Sequence, residues 1–307
     1  MDEMGEFRRL SAEVSNWGRW GDDDERGTLN FITPDCLIRA AGLVKKGAVF
    51  SLGIPLGSDG PQGVGSRINP VHLMSETGHY QDYDEFFKYV DDYIFMPLQA
   101  ASQWDAIGHV YYEGYLYNGY PDSVVTASGL KRNSIDKIAS GVVGRGVLFD
   151  VARFHGVDWL EAGYVITPQD LERCAESAGF EILRGDILCL RTGWRRKFLT
   201  ERPSANLPAG EPGLGMACVK WLHDHEIAAV AADNRAIETQ PGEFKTLKYN
   251  VHLLLLRDMG MTLGEILDFE SLAADCAEDG IYEFLFTGPP LIVTGGAGSP
   301  VNPLAIK

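Results

Sequence analysis

The spacing of apolar and polar residues predicts several helices along the chain. Thr33-Pro34 and Thr167-Pro168 each place a capping side chain before a proline at the first helical position, which is a common helix start. Residues at helical spacing follow the first of these pairs and predict one apolar face, made of Leu37, Ile38, Ala41 and Val44. Helices are expected over 33–46, from 167 onward, and over 216–225, 244–259 and 263–276.

Apolar runs of strand length lie between these helices, at 147–152, 187–191, 227–232 and 291–294. A further run at 93–98 is also predicted to be a strand, and the Gly-rich stretch 54–67 a surface loop. Helices and strands that alternate in this way favour an α/β fold. Because no internal repeat or low-complexity segment interrupts the pattern, residues 1–307 are predicted to form a single domain, with 1–30 as an N-terminal arm.

Composition and charge exclude several classes of partner. The 307 residues include 27 Lys and Arg against 43 Asp and Glu, a formal net charge of −16, so neither nucleic acid nor an anionic membrane surface is an expected partner. No apolar run approaches the ~18 residues of a membrane helix. The five cysteines form no CxxC pair, which predicts reduced, mostly buried thiols. With no apolar signal region at the N-terminus, a cytoplasmic location is expected.

The segment QAASQWDAIGH, residues 99–109, carries the candidate chemistry. It gathers Gln99, Gln103, Asp105 and His109 immediately after the predicted strand at 93–98. In extended backbone, residues i and i+2 share a face, so Gln103 and Asp105 can converge on one point, and Gln99 can join them if the chain turns. These groups either cap and solvate a turn or bind a metal ion. The apolar neighbours of Asp105 favour the second interpretation, because a carboxylate drawn toward a core needs a partner.

This segment resembles the metal-binding signature His-x-Gly-Thr-His-x-Asp-x-Pro-x-His of a cyclase family that includes bacterial kynurenine formamidases and isatin hydrolases. Asp105 and His109 match the motif, Gln99 and Gln103 stand at its first two histidine positions, and Ile107 replaces the proline. The resemblance extends over most of the chain from about residue 30 onward, and is strongest to a branch with a QWDA motif that includes trans-dienelactone hydrolases. It implies an α/β fold with mixed sheets in a barrel-like core and peripheral helices, and a homodimer or homotetramer.

Two residues near the C-terminus resemble the family's distal histidine and glutamate: His252, and Glu265 within GEILDFE. The resemblance implies metal ligands at Gln99, Gln103, Asp105 and His252, and catalytic roles for His109 and Glu265. For His252, which precedes four leucines, a core histidine is the alternative. Exchange of imidazole nitrogens for amide oxygens makes a harder and weaker ligand set, which favours Mn²⁺ first and Zn²⁺ second.

The activity implied by the resemblance is hydrolysis of a small cyclic ester, amide or formamide by a metal-activated water, with His109 as acid and base. The alternatives are a polyketide-type cyclase or dehydratase, and a non-catalytic small-molecule binding protein of the same fold. Aromatic and polar side chains are candidates for binding the small-molecule substrate: Trp17, Trp20, His72, Trp104, Tyr117 and Asn118. Trp17 and Trp20 lie in the N-terminal arm, which could line its own pocket, reach a neighbour's, or pack on the surface.

Overall fold

The computed structural model describes residues 3–63, 67–79, 86–201, 210–243 and 250–307. The strands in these ranges are β1 Val49–Ser51, β2 Val71–Glu76, β3 Asp91–Phe95, β4 Gln103–Asp105, β5 Val125–Thr126, β6 Gly129–Leu130, β7 Val142–Asp150, β8 Val165–Ile166, β9 Ile187–Arg191, β10 Gly213–Leu214, β11 Ala229–Ala232, β12 Leu263–Glu265, β13 Glu283–Gly288, β14 Gly298–Pro300 and β15 Leu304–Ile306. The α-helices are α1 Glu3–Val14, α2 Pro34–Ala41, α3 Val151–Phe154, α4 Pro168–Ala178, α5 Trp194–Glu201, α6 Ala217–Asp224 and α7 Glu270–Asp279. A π-helix spans Leu253–Met259, and short 3-10 helices span Gly27–Phe31, Tyr117–Gly119, Asp122–Val124 and Ile135–Ile138.

Within the described ranges, nine strands form one mixed sheet in the order β1-β15-β13-β7-β9-β11-β12-β4-β14. The four neighbours β7, β9, β11 and β12 are parallel, and the outer pairs are antiparallel. The sheet curls into a half barrel with helices at its periphery. The predicted α/β fold with a barrel-like core is therefore confirmed.

Both faces of the central strands are buried. On β9, Leu188 and Leu190 pack among apolar residues of α4, α6 and the π-helix, whereas Ile187 and Cys189 point to the opposite face and its second apolar cluster. This alternation follows from the two-residue period of a strand, and burial on both faces is the usual state of parallel strands covered by helices. The strand predicted over 187–191 is confirmed at its exact ends.

Both predicted helix starts are confirmed. The Thr33 hydroxyl accepts a hydrogen bond from the backbone of Cys36, and Thr167 forms a reciprocal capping box with Asp170. The apolar face predicted for the first helix does not pack into the core, because Leu37 and Ile38 are 41% and 71% exposed. That helix also ends at Ala41 instead of continuing to residue 46.

Two predicted elements differ from the structure. The helix expected over 263–276 is instead strand β12 followed by α7, because Leu263 and Gly264 pair with β11 in the buried part of the sheet. The strand expected over 291–294 is wrong, since this segment is irregular and largely exposed, and it follows two prolines.

Parts of two other predicted segments fall outside the described residues. These are 64–66 of the loop expected over 54–67, and 244–249 of the helix expected over 244–259. The remainder of that helix includes the π-helix.

The cysteines are free, and four of the five are buried, as expected from their scattered positions. Burial raises the pKa of Cys174, Cys218 and Cys276 to about 12, so these thiols are poor nucleophiles at neutral pH. None of the helices in the described ranges has the length and apolar character that a membrane crossing requires.

Candidate active site

The side chains of strand β4 point to two sides: Trp104 lies in the core, and Gln103 and Asp105 lie in a cluster of polar residues. It lies between β12 and β14, with Gln103 opposite Glu265 and Asp105 opposite Leu263 and Gly298. Gln103 and Asp105 share one face, as predicted, and the Gln103 Nε2 donates a 2.6 Å hydrogen bond to Oε2 of Glu265. These three polar side chains are almost completely buried.

His252 completes the cluster from the start of the π-helix. Its Nε2 lies 3.1 Å from Oε1 of Glu265 and 3.8 Å from Oδ2 of Asp105, while its Nδ1 lies 2.9 Å from Oε2 of Glu238. Asp105, His252 and Glu265 each offer one ligand atom, and these atoms all lie within 4.8 Å of one another. The structure therefore brings together residues that are about 160 positions apart in the sequence.

The cluster fits a divalent cation. Among the described residues, Oε1 of Gln103 and Oδ1 of Asp105 are buried acceptors without a hydrogen-bond partner. A buried acceptor without a partner is costly, and a cation would satisfy both oxygens. Two carboxylates, one amide oxygen and one imidazole nitrogen are a ligand set suited to Mn²⁺ or Zn²⁺.

The electrostatics of the cluster set its protonation. Burial, reinforced by the charge of Asp105, raises the pKa of Glu265 to about 8. Burial also opposes ionisation of Asp105, but His109 and His252 outweigh it and hold the pKa of Asp105 below its usual value. For His252, burial is outweighed by Glu238 and by hydrogen bonds with Asp105 and Glu265, so its pKa is raised. An incoming cation therefore competes with protons for this site.

His109 lies at the accessible side of the cluster. It follows β4 through a turn in which its backbone N–H donates to the carbonyl of Ala106, and its Nε2 is 3.8 Å from Oδ2 of Asp105. Its side chain is 22% exposed, against 1% for Asp105. Burial lowers the pKa of His109, and the positive charges of His252 and Arg67 add to this effect, which favours a neutral imidazole able to accept a proton.

Gln99 lies beside the cluster's strand and, within the described ranges, makes no hydrogen bond to the cluster. Its Nε2 packs against Gly298, where an added Cβ would come within 2.5 Å of it. Its carbonyl accepts a 3.3 Å hydrogen bond from Gln62 Nε2. Its predicted role as a ligand remains a prediction.

Trp104 points away from the cluster. Its indole is fully buried, packs edge-on against Phe286 at 6.0 Å, and donates a 2.8 Å hydrogen bond from Nε1 to the carbonyl of Gly288. It packs in the core because neighbouring residues of a strand face opposite sides of the sheet. The structure therefore does not support Trp104 as a substrate-binding residue.

Tyr117 and Asn118 fasten the N-terminal arm. The Tyr117 hydroxyl donates to Asp24 at 2.9 Å, and the Asn118 amide donates to the carbonyls of Gly21, Asp22 and Asp24. Tyr117 is fully buried, so these contacts support the arm rather than a substrate pocket.

Trp17 and Trp20 pack on their own chain. Trp17 donates from Nε1 to the carbonyl of Arg257 and lies under its guanidinium at 4.2 Å, while Trp20 packs edge-on against Phe31 at 5.2 Å. These contacts match the surface-packing alternative for the arm. His72 lies on the exposed hairpin of β2 and β3, with Nε2 2.7 Å from Asp92, and within the described ranges it is not hydrogen-bonded to the cluster.

Sequence reasoning missed two charged residues, Glu238 and Arg67. Gln62 donates from its side chain to the carbonyls of Gln99 and Ala100, in the segment before β4. The positive charge of Arg67 helps to lower the pKa of Asp105 and opposes the rise in the pKa of Glu265. No local signal in the sequence singles out either residue, because each acts on residues that are far from it in the chain.

Comparison with known proteins agrees with this fold. A family model described as "Putative cyclase" matches residues 25–239. A solved structure described as a novel cyclase is 42% identical, covers 96% of this chain and 100% of its own, and superposes with a TM-score of 0.89. A search of the curated proteins found no match.

More distant structures share the fold. Isatin hydrolase A from Labrenzia aggregata, bound to benzyl benzoate, is 20% identical over 87% of this chain and 94% of its own, with a TM-score of 0.63. A potential metal-dependent hydrolase with cyclase activity is 16% identical over 84% of this chain and 96% of its own, with a TM-score of 0.52. Because the family model matches more than half of its residues, the chain belongs to the cyclase family.

Proposed function

We propose that this protein is a metal-dependent hydrolase that opens a small cyclic ester, amide or formamide. The observation that carries the proposal is the buried cluster of Asp105, His252 and Glu265, with unpartnered acceptor oxygens on Asp105 and Gln103. The isatin hydrolases and metal-dependent hydrolases that share the fold support the same reaction class.

Asp105, His252 and Glu265 would hold the ion, together with the Oε1 of Gln103. When bound, a divalent ion supplies Lewis acidity, which polarises a carbonyl and lowers the pKa of water toward neutrality. The oxygen-rich ligand set favours Mn²⁺, with Zn²⁺ second. The Gln103 Nε2 holds Glu265 in place through its 2.6 Å hydrogen bond, while the other atom of the same amide stays free for the ion.

His109 is the proposed acid and base. Its neutral imidazole takes a proton from the attacking water and returns it to the leaving oxygen or nitrogen. The geometry supports this role, because His109 adjoins Asp105 but is more exposed than the buried ligands, so a substrate can approach it.

Ring closure or dehydration is the second candidate, supported by the cyclase activity named for one structure of the same fold. In that reaction His109 would remove a proton from a carbon next to a carbonyl. Product mass separates the candidates, because hydrolysis adds one water to the substrate and cyclisation does not.

Metal analysis and a substrate panel test the proposal. Protein purified without added ions is analysed by elemental mass spectrometry and then assayed, with and without Mn²⁺, on lactones, formamides and cyclic amides. We expect near-stoichiometric metal and metal-dependent ring opening or deformylation. Protein that takes up no metal after incubation with Mn²⁺ and turns over none of the panel would contradict the proposal and favour a non-catalytic binding protein.

We also propose that the chain forms a homodimer or homotetramer. The hairpin of β2 and β3 is exposed along nearly all its length and includes Leu73, Tyr93 and Phe95, which are 58%, 68% and 69% exposed. Exposed apolar surface of this extent is unusual for a monomer. Size-exclusion chromatography with light scattering tests this proposal, and a monomer at micromolar concentration would contradict it.

A further inference from the structure

Two isoleucines with left-handed backbone adjoin the carboxylates around His252. Ile237, with φ 61°, immediately precedes Glu238, and Ile266, with φ 58°, immediately follows Glu265. Both are buried, and a β-branched side chain rarely adopts positive φ because its Cβ crowds the backbone. Strained backbone of this kind persists where the surrounding structure holds it, and it is concentrated at functional sites.

Asn234 holds both strained residues. Its Oδ1 accepts the Ile237 N–H at 3.0 Å, its backbone carbonyl accepts the Ile266 N–H at 2.9 Å, and its Nδ2 donates to Pro212 at 2.7 Å. Asn234 is completely buried. Asn234 thus holds the two residues that adjoin Glu238 and Glu265, one through its side chain and the other through its backbone.

Gly213 and Leu214 also pack against the backbone of residues 237–238. An added Cβ on Gly213 would lie 2.3 Å from the carbonyl carbon of Glu238, so only glycine allows this approach. Leu214 forms a parallel bridge with Glu238, and its N–H donates to the carbonyl of Ile237 at 2.9 Å. The backbone of Glu238 therefore has little freedom to move.

The fixed Glu238 carboxylate holds His252 at two points. Its Oε2 accepts the backbone N–H of His252 at 2.8 Å and lies 2.9 Å from Nδ1 of the same residue. A carboxylate oxygen accepts hydrogen bonds, so this contact assigns a proton to Nδ1. The ring is thereby oriented with Nε2 toward Asp105 and Glu265.

We propose that Glu238 is a positioning residue for the metal site: it fixes the tautomer and the ring orientation of His252 so that Nε2 faces the ion. This inference rests on the proposed function. With glutamine at the first two histidine positions of the motif, His252 supplies the nitrogen ligand of the described cluster, so its orientation bears directly on metal affinity. A carboxylate that accepts the outer N–H of a ligand histidine also makes that histidine a stronger donor.

Two measurements on Glu238→Ala and Glu238→Gln test the proposal. The first is Mn²⁺ affinity, measured by competition with a fluorescent chelator. We expect Glu238→Ala to bind Mn²⁺ about 10 to 100 times more weakly, the usual effect of losing such a partner. Glu238→Gln, whose amide oxygen can accept the same two bonds, is expected to lie between Glu238→Ala and wild type. Glu283→Gln serves as the control, because Glu283 pairs with Arg145 and not with the cluster.

The second measurement is NMR of the ¹⁵N-labelled histidine ring in metal-free protein, with His252→Gln to assign the signal. We expect a protected Nδ1–H resonance in wild type and Glu238→Gln, and its loss in Glu238→Ala. If Glu238→Ala does not fold, Glu238→Asp replaces it, because its carboxylate is set back by one methylene and cannot reach both donors.

The outcomes separate this inference from the proposed function. If wild type binds no Mn²⁺, the proposed function fails, while the Nδ1–H resonance still decides whether Glu238 orients His252. If Glu238→Ala, or Glu238→Asp in its place, folds and keeps both wild-type Mn²⁺ affinity and the protected resonance, the positioning role is overturned. If it loses the resonance but keeps wild-type affinity, Glu238 orients the ring without serving the metal, and the inference is also overturned.

Discussion

Replacement of Asp105 by alanine is the sharpest perturbation of the candidate metal site. Asp105 supplies one of the three clustered ligand atoms, and its second oxygen has no partner among the described residues. Loss of a residue that only supports a ligand weakens metal binding about 10- to 100-fold. Loss of a ligand itself should therefore weaken Mn²⁺ binding by at least about 100-fold.

This loss has a measurable thermal consequence. At a free Mn²⁺ concentration 100 times the wild-type Kd, binding stabilises the folded protein by about 2.7 kcal/mol, whereas a variant with a 100-fold higher Kd gains RT ln 2, or about 0.4 kcal/mol. At about 2 °C per kcal/mol for a chain of this size, wild type should gain about 5 °C in Tm and the variant under about 1 °C.

Differential scanning fluorimetry with and without Mn²⁺ measures this difference. The metal-free variant should remain folded, because His252 keeps Glu238 and Glu265 as partners. Asp105→Asn, which preserves the side-chain volume, checks that any loss is not caused by a cavity. Asp224→Ala removes an exposed carboxylate paired with Lys220 and should keep the full shift. A metal-induced shift of wild-type size in Asp105→Ala would refute the assignment of the site.

Three further predictions test other parts of the site. His109→Ala should retain bound metal but lose about 10² to 10⁴ in kcat, measured on a substrate from the panel. Mn²⁺ affinity should rise by more than tenfold per pH unit below 8, because binding must displace the proton of Glu265, whose pKa is about 8, and that of His252, whose pKa is also raised; isothermal titration from pH 6.5 to 8.5 checks this slope, and Glu265→Gln should make it shallower. Trp104→Ala should destabilise the protein by about 3–5 kcal/mol in urea unfolding, because a fully buried indole and its hydrogen bond to Gly288 are lost.

Local rules accounted for the parts of the structure that depend on neighbouring residues. Thr167 begins a helix because its side chain and that of Asp170 cap each other within one turn. The strand at 187–191 is a short buried run with clear ends. Gln103 and Asp105 share a face because a strand has a two-residue period, and the same rule, applied to Trp104, excludes it from that face.

The rest depends on contacts that the sequence does not encode locally. Leu263 and Gly264 resemble the start of a helix, since a short apolar run has no decisive period, and only pairing with β11 makes them a strand. Glu238 reaches His252 because Asn234 holds Ile237 at positive φ, which no propensity scale anticipates. Gln99 was a candidate from its place in the segment 99–109, whereas His252 and Glu265 were found through resemblance to a family. The structure brings His252 and Glu265 into the cluster but leaves Gln99 beside it.

The placement of β4 between β12 and β14 has a consequence for how the protein matures. Gln103 and Glu265 are 162 residues apart in the chain, and the strand that closes the other side of β4 ends at residue 300. Contacts across such separations form late and slowly, because a long stretch of chain must first be ordered. A nascent chain therefore cannot complete this part of the sheet until β12 and β14 have left the ribosome. An ion at the proposed site would therefore bind only after the sheet has formed, and could not nucleate folding.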